Sequence, residues 1–78
     1  MKLRGFRIEL GEIESLLNRH VSIREAAVAA RAFSPGDQRL VAYLVPGSET
    51  IPTAGELRAY LNAQLPDFMI PSAFVWLE

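Results

Sequence analysis

An α+β domain is the fold class this sequence predicts: a small sheet, built from a β-hairpin and about three further strands, packed with two helices in the order β(β)-α-β-β-α-β. Three observations carry it. Apolar residues recur at helical spacing in two separate stretches, 10–17 and 54–65. Between them two strand-like runs flank the turn Ser34-Pro35-Gly36-Asp37. A last apolar run, Phe74-Val75-Trp76-Leu77, reads as a strand.

The first segment, 2–8, changes character midway. Leu3, Phe6 and Ile8 read as strand or tight hairpin broken by Gly5, and Leu10, Ile13, Leu16 and Leu17 then form a helical stripe. That helix is expected from Glu9 or Leu10 to Arg19 or His20. Glu9 and Glu12 fall at the positive end of its dipole, and Arg19 and His20 at the negative end. Residues 23–33 carry two readings. Ala26, Ala27, Ala29 and Ala30 have high helix propensity. The following proline-glycine turn and the apolar run 40–45 favour a strand, paired as a hairpin of 27–32 with 40–45. Because 40–45 is apolar on both faces, it suits a central strand covered on both sides.

After the loop 47–52, Thr53-Ala54-Gly55-Glu56 spells a capping box, and Ala54, Leu57, Tyr60, Leu61 and Leu65 follow at helical spacing. Pro66 is expected to close this helix. Asp67-Phe68-Met69-Ile70-Pro71 is an apolar loop expected to pack on the sheet. The chain stops directly after its last strand, which is expected of a piece of a longer polypeptide.

Bulk properties bound the function. With 78 residues, half of them hydrophobic, the chain has material for one core, and 1–78 is read as a single small domain. A net charge of -1 argues against a nucleic-acid partner, which shows as a strongly basic surface. Zero cysteines exclude disulfides and thiolate metal sites and fit a reducing compartment. No apolar run approaches membrane-spanning length, and the N-terminus has no signal-peptide core. A cytoplasmic domain with no membrane partner is expected.

The residues spell no catalytic set: no nucleophile with a supporting base and no phosphate-cradling glycine loop. His20, the sole histidine, stands without a cysteine or aspartate cluster, so no metal site is expected. Glu12 and Glu14, two apart on a helix, point in different directions and make a poor acid–base pair. Arg4 and Arg7 around Gly5 are more suggestive, since guanidinium forks suit phosphate and glycine admits close approach. Residues alone leave two readings for this turn, solvated surface charge or an anion contact.

The stretch Lys2-Leu3-Arg4-Gly5-Phe6-Arg7-Ile8-Glu9-Leu10-Gly11-Glu12-Ile13-Glu14 resembles the signature that opens the small C-terminal subdomain of adenylation domains in nonribosomal peptide synthetases. Arg24-Glu25-Ala26-Ala27-Val28, Pro35-Gly36-Asp37, Leu40-Val41-Ala42-Tyr43 and Leu65-Pro66-Asp67-Phe68-Met69-Ile70-Pro71 resemble further landmarks in the family order. Acyl-CoA synthetases and luciferases share the architecture, but the spelling favours the peptide-synthetase branch. The resemblance implies a mobile lid of an ATP- and Mg2+-dependent ligase. Such a ligase forms an aminoacyl adenylate and passes it to phosphopantetheine on a peptidyl carrier protein. The implied partners are that carrier and the large N-terminal adenylation subdomain.

By the same resemblance, Arg4, Gly5 and Phe6 border the pantetheine channel in the thioester-forming step. Arg7 is implied near ligand phosphates, while Glu9 and Glu14 support the helix start and loop. The family's hinge aspartate would precede Met1, and its catalytic lysine would lie beyond Glu78, so no catalytic residue is expected within the chain and no activity from it alone. Val21 stands where the family usually has proline after the histidine. The alternative is a non-catalytic α+β module that docks a carrier protein or partner enzyme.

Overall fold

The structure, a computed structural model, describes residues 2–3 and 5–77. Arg4, one of the expected loop residues, lies outside the described residues. The elements run β1 (Lys2–Leu3), β2 (Phe6–Arg7), α1 (Leu10–Asn18), β3 (Ile23–Ser34), β4 (Asp37–Pro46), α2 (Ala54–Asn62), a single 3-10 turn (Asp67–Met69) and β5 (Ala73–Trp76). This is the predicted α+β order. The strands form two sheets, the hairpin β1–β2 and a three-stranded sheet in the order β3-β4-β5.

The alanine-rich segment is strand, not helix. Its partner decides this: β4 supplies Leu40, Ala42 and Leu44, all nearly inaccessible, opposite Ala30, Val28 and Ala26. Long-range pairing and burial override alanine's local helix preference. The hairpin register differs from the expected one. Residues 40–45 pair with 25–30 rather than 27–32, because Pro35 and Gly36 alone form the loop and Ser34 pairs with Asp37. Gly36 takes φ 78° there, a conformation glycine adopts without steric cost. The offset of two residues leaves every side chain on its original face of the pleat, which is why burial remained readable.

Strand β5 runs parallel to β4, Val41 opposite Ala73 and Leu44 opposite Trp76, so α2 serves as the crossover that parallel neighbours require. Ile13, Leu16 and Leu17 of α1 and Leu57 and Leu61 of α2 join Ala26, Val28, Leu40, Ala42 and Leu44 in one buried cluster. Both helices therefore cover the same face of the sheet. β4 is central as expected, but its other face carries no helix among the described residues; Val75 and Leu77 are exposed there.

The helix ends follow their chemistry. Glu56 N–H donates to Thr53 Oγ1 at 3.1 Å, and Thr53 N–H donates to Glu56 Oε1 at 2.9 Å, completing the capping box. The bond from the Thr53 amide favours the ionised carboxylate, and the Glu56 pKa is held below the ordinary glutamate range, chiefly by that amide and then by the Thr53 side chain. Helix α2 ends at Asn62, ahead of Pro66, and one more helical bond runs from Leu65 N–H to Leu61 O at 2.8 Å. The helix unwinds over several residues because the one preceding a proline is disfavoured in helical geometry.

Helix α1 starts less neatly. Glu9 occupies its N-cap but makes no side-chain cap. Tyr60 fastens the helices together, its hydroxyl donating to Leu16 O at 2.6 Å.

Candidate functional site: the β1–β2 turn and the 3-10 turn beside it

The hairpin at the N-terminus is minimal. Two residue pairs, Lys2 with Arg7 and Leu3 with Phe6, make its whole ladder. So short a ribbon is not stable by itself in water. Its stems are anchored by burial: Leu3 is 8% and Ile8 1% exposed, and both belong to the core cluster. Gly5, at the turn, has φ 82°, and a Cβ added there would meet nothing within 4 Å. Within this chain the glycine thus answers to backbone geometry, and the space over it is open.

Phe6 and Arg7 follow on β2, and both are exposed. The Phe6 ring lies parallel to that of Phe68, with centroids 4.3 Å apart and planes inclined by 13°. Phe68 sits on the 3-10 turn, whose Met69 and Pro71 are buried. The two stretches read from the sequence as separate landmarks, 2–14 and 65–71, are therefore in contact through these rings. Reading 65–71 as a loop packed on the sheet captures Met69 and Pro71 but misses Phe68, which turns outward to the hairpin. No local feature of the sequence marks this, since an aromatic in an apolar loop reads as core.

Arg7 reaches Glu9, Nε to Oε1 at 3.3 Å, with side chains 82% and 61% exposed. A pair this exposed contributes about 0–1 kcal/mol, so little holds the guanidinium back from a stronger anion such as phosphate. Glu14 does something else. Its Oε2 accepts the Val28 backbone N–H at 2.7 Å, which ties α1 to the edge strand β3 and occupies an amide that β4 does not use. It supports the sheet, away from the turn. His20 is likewise structural: Nδ1 accepts the Ser22 N–H at 3.1 Å, and the ring meets Tyr60 edge-on at 4.9 Å. Among the described residues no group of three or more His, Cys, Asp or Glu side chains is placed to hold a metal ion.

A wide concave surface lies around the β3–β4 turn. Phe33 is exposed there, with the Arg39 guanidinium 4.9 Å over its ring. It brings together none of the expected site residues.

A two-helix, mixed-sheet domain with an open glycine turn and an adjacent exposed cation matches a known class. The AMP-binding enzyme C-terminal domain model matches residues 12–78, and the chain belongs to that family. The chain is 54% identical over its whole length to a dimodular nonribosomal peptide synthase of Bacillus subtilis (strain 168), of which it covers 3%. Among solved structures it is similar to a holo four-domain nonribosomal peptide synthetase bound to AMP and glycine, with TM-score 0.85 and 45% identity over 97% of this chain and 6% of that one. It is also similar to a malonyl-CoA ligase in complex with methylmalonyl-CoA and AMP, with TM-score 0.81 and 35% identity over 94% of this chain and 16% of that one. The chain thus spans a small fraction of the relatives it matches. The family model begins after the hairpin, whereas the peptide-synthetase match includes it.

Proposed function

We propose that this chain is the mobile C-terminal subdomain of an amino-acid-activating adenylation domain. The observation that carries this reading is the 54% identity to a peptide synthase over the entire chain, hairpin included. In such an enzyme the amino-acid carboxylate attacks the α-phosphate of ATP, with Mg2+, and releases pyrophosphate to give the aminoacyl adenylate. A carrier-protein phosphopantetheine thiol then displaces AMP to form a thioester. Domain 1–78 acts as the lid that rotates between these two steps and works against a large N-terminal subdomain in the cytoplasm. A peptidyl carrier protein is its second partner.

The role of the chain's own residues is presentation and charge. The Gly5 turn, open on its Cβ side, lines the route by which the thiol reaches the adenylate, together with Arg4 and Phe6. Arg7, exposed and weakly paired, meets phosphate. Glu9 supports the helix start beside that guanidinium, and Glu14 holds the helix behind it against β3. ATP–pyrophosphate exchange provides the test. The chain alone is expected to show none, and exchange is expected from the intact polypeptide that carries it. Exchange by the chain alone, or none from the intact polypeptide with any proteinogenic amino acid, would overturn the reading.

A further inference from the structure

We propose that Phe68 is a positioning residue for thioester formation, its ring setting the angle at which the β1–β2 turn presents Gly5. The proposal rests on the functional reading above and adds a residue from a distant part of the sequence. Two paired positions cannot fix the tilt of a hairpin, and Leu3 and Ile8 anchor only its stems. Phe6, the residue directly after Gly5, is the part of the turn that something else must hold. It is 48% exposed, so the core does not hold it. Phe68 does, through an almost parallel stack with centroids 4.3 Å apart.

The platform under Phe68 is firm. Met69 N–H donates to Pro66 O at 3.0 Å and Ile70 N–H to Asp67 O at 3.1 Å, closing the 3-10 turn. Met69 and Pro71 then root that turn in the core. The stack therefore connects a rigid base to a weakly self-supporting tip. Phe68, itself 38% exposed, contributes little to the core, so its removal frees the tip without unfolding the domain.

The experiment uses the intact adenylating polypeptide that carries this chain, with its holo carrier protein. ATP–pyrophosphate exchange and single-turnover carrier loading are measured side by side. Phe68→Ala is expected to leave exchange within about twofold and to slow loading about tenfold or more, since small misplacements of reacting groups act steeply on rate. Phe6→Ala should slow loading at least as much, since it removes the same stack together with a residue beside the thiol's route. The double variant should be no slower than the worse single one, because both remove one stack. Phe68→Tyr, which keeps a ring, should restore loading.

Equal loss of both half-reactions, unchanged loading, multiplying effects in the double variant, or failure of Phe68→Tyr to rescue would each overturn the positioning role. Gly5→Leu in the same assay separates this from the broader reading. Selective loss in Gly5→Leu with none in Phe68→Ala rejects only the stack, whereas normal loading in Gly5→Leu rejects the role of the turn itself.

Discussion

The molecule contains two hairpins whose turns use the same device and whose strands do not. Gly5 between β1 and β2 has φ 82°, and Gly36 between β3 and β4 has φ 78°. The first turn joins strands with two paired positions; the second joins strands with ten, one face of which lies in the core. A turn on a long, half-buried ribbon is held by its ladder. A turn on a two-pair ribbon is held by whatever touches its flanks, here Leu3, Ile8 and the Phe6–Phe68 stack. A similar glycine conformation therefore sits on a self-supporting ribbon in one hairpin and on a ribbon that depends on its neighbours in the other.

The comparison breaks most easily on the long hairpin's supports. Glu14→Ala should give the largest loss of stability, about 1–3 kcal/mol, because it strands the partly buried Val28 amide and releases α1 from β3. A chemical-denaturation midpoint unchanged from the parent would show that water replaces the carboxylate. Gly47→Ala comes next. Its Cβ would lie 2.9 Å from Arg24 N and 3.1 Å from Ile23 C, both backbone atoms, so the β3–β4 base must spread. A cost of about 1–3 kcal/mol is expected, and a neutral effect in the same melt would mean that this end of the sheet yields freely.

The two turn glycines then separate the hairpins directly. Gly36→Leu forces an L side chain into a left-handed conformation, and its strain of about 1–2 kcal/mol should appear in full in the global melt. Gly5→Leu meets the same backbone strain, but a two-pair hairpin can fray locally and cap the global loss. Equal melting shifts for the two would contradict the distinction.

The smallest effect belongs to Glu56. Its folded pKa is depressed, so the stabilisation from the capping box is present above the unfolded carboxylate pKa and fades as pH falls through the lower folded value. Thermal melts of the parent and Glu56→Gln should differ at neutral pH and converge in the acid range; a gap independent of pH would assign the box to neutral hydrogen bonding.

How much of this was legible depended on range. Thr53 and Glu56 announced their helix because the signal and the structure lie three residues apart. Pro35-Gly36 announced its turn for the same reason, but the exact partners of 40–45 did not follow, since loop length and the irregularity between Ala32 and Ser34 set the register. The alanine-rich strand was ambiguous until its partner was known.

At the site, Gly5 and Arg7 stood out by residue type and family resemblance. Glu14 reads from the sequence as helix-start and loop support, and nothing local discloses that it reaches Val28 on another element. Phe68 was hidden more deeply. An aromatic in an apolar loop reads as core, and only the folded chain brings it against Phe6, sixty-two positions away in sequence.

The central claim is that the short hairpin serves the thiol-transfer step and not adenylate formation. The most direct test is the ratio of carrier loading to ATP–pyrophosphate exchange for Gly5→Leu and Gly5→Asn in the intact enzyme. Asparagine tolerates positive φ, so it relieves the backbone strain while keeping a side chain over the turn. Both variants are expected to retain exchange and to lose loading by roughly 100-fold for leucine and less for asparagine. Parallel loss of the two half-reactions, or loading as fast as the parent's in both variants, would contradict the account.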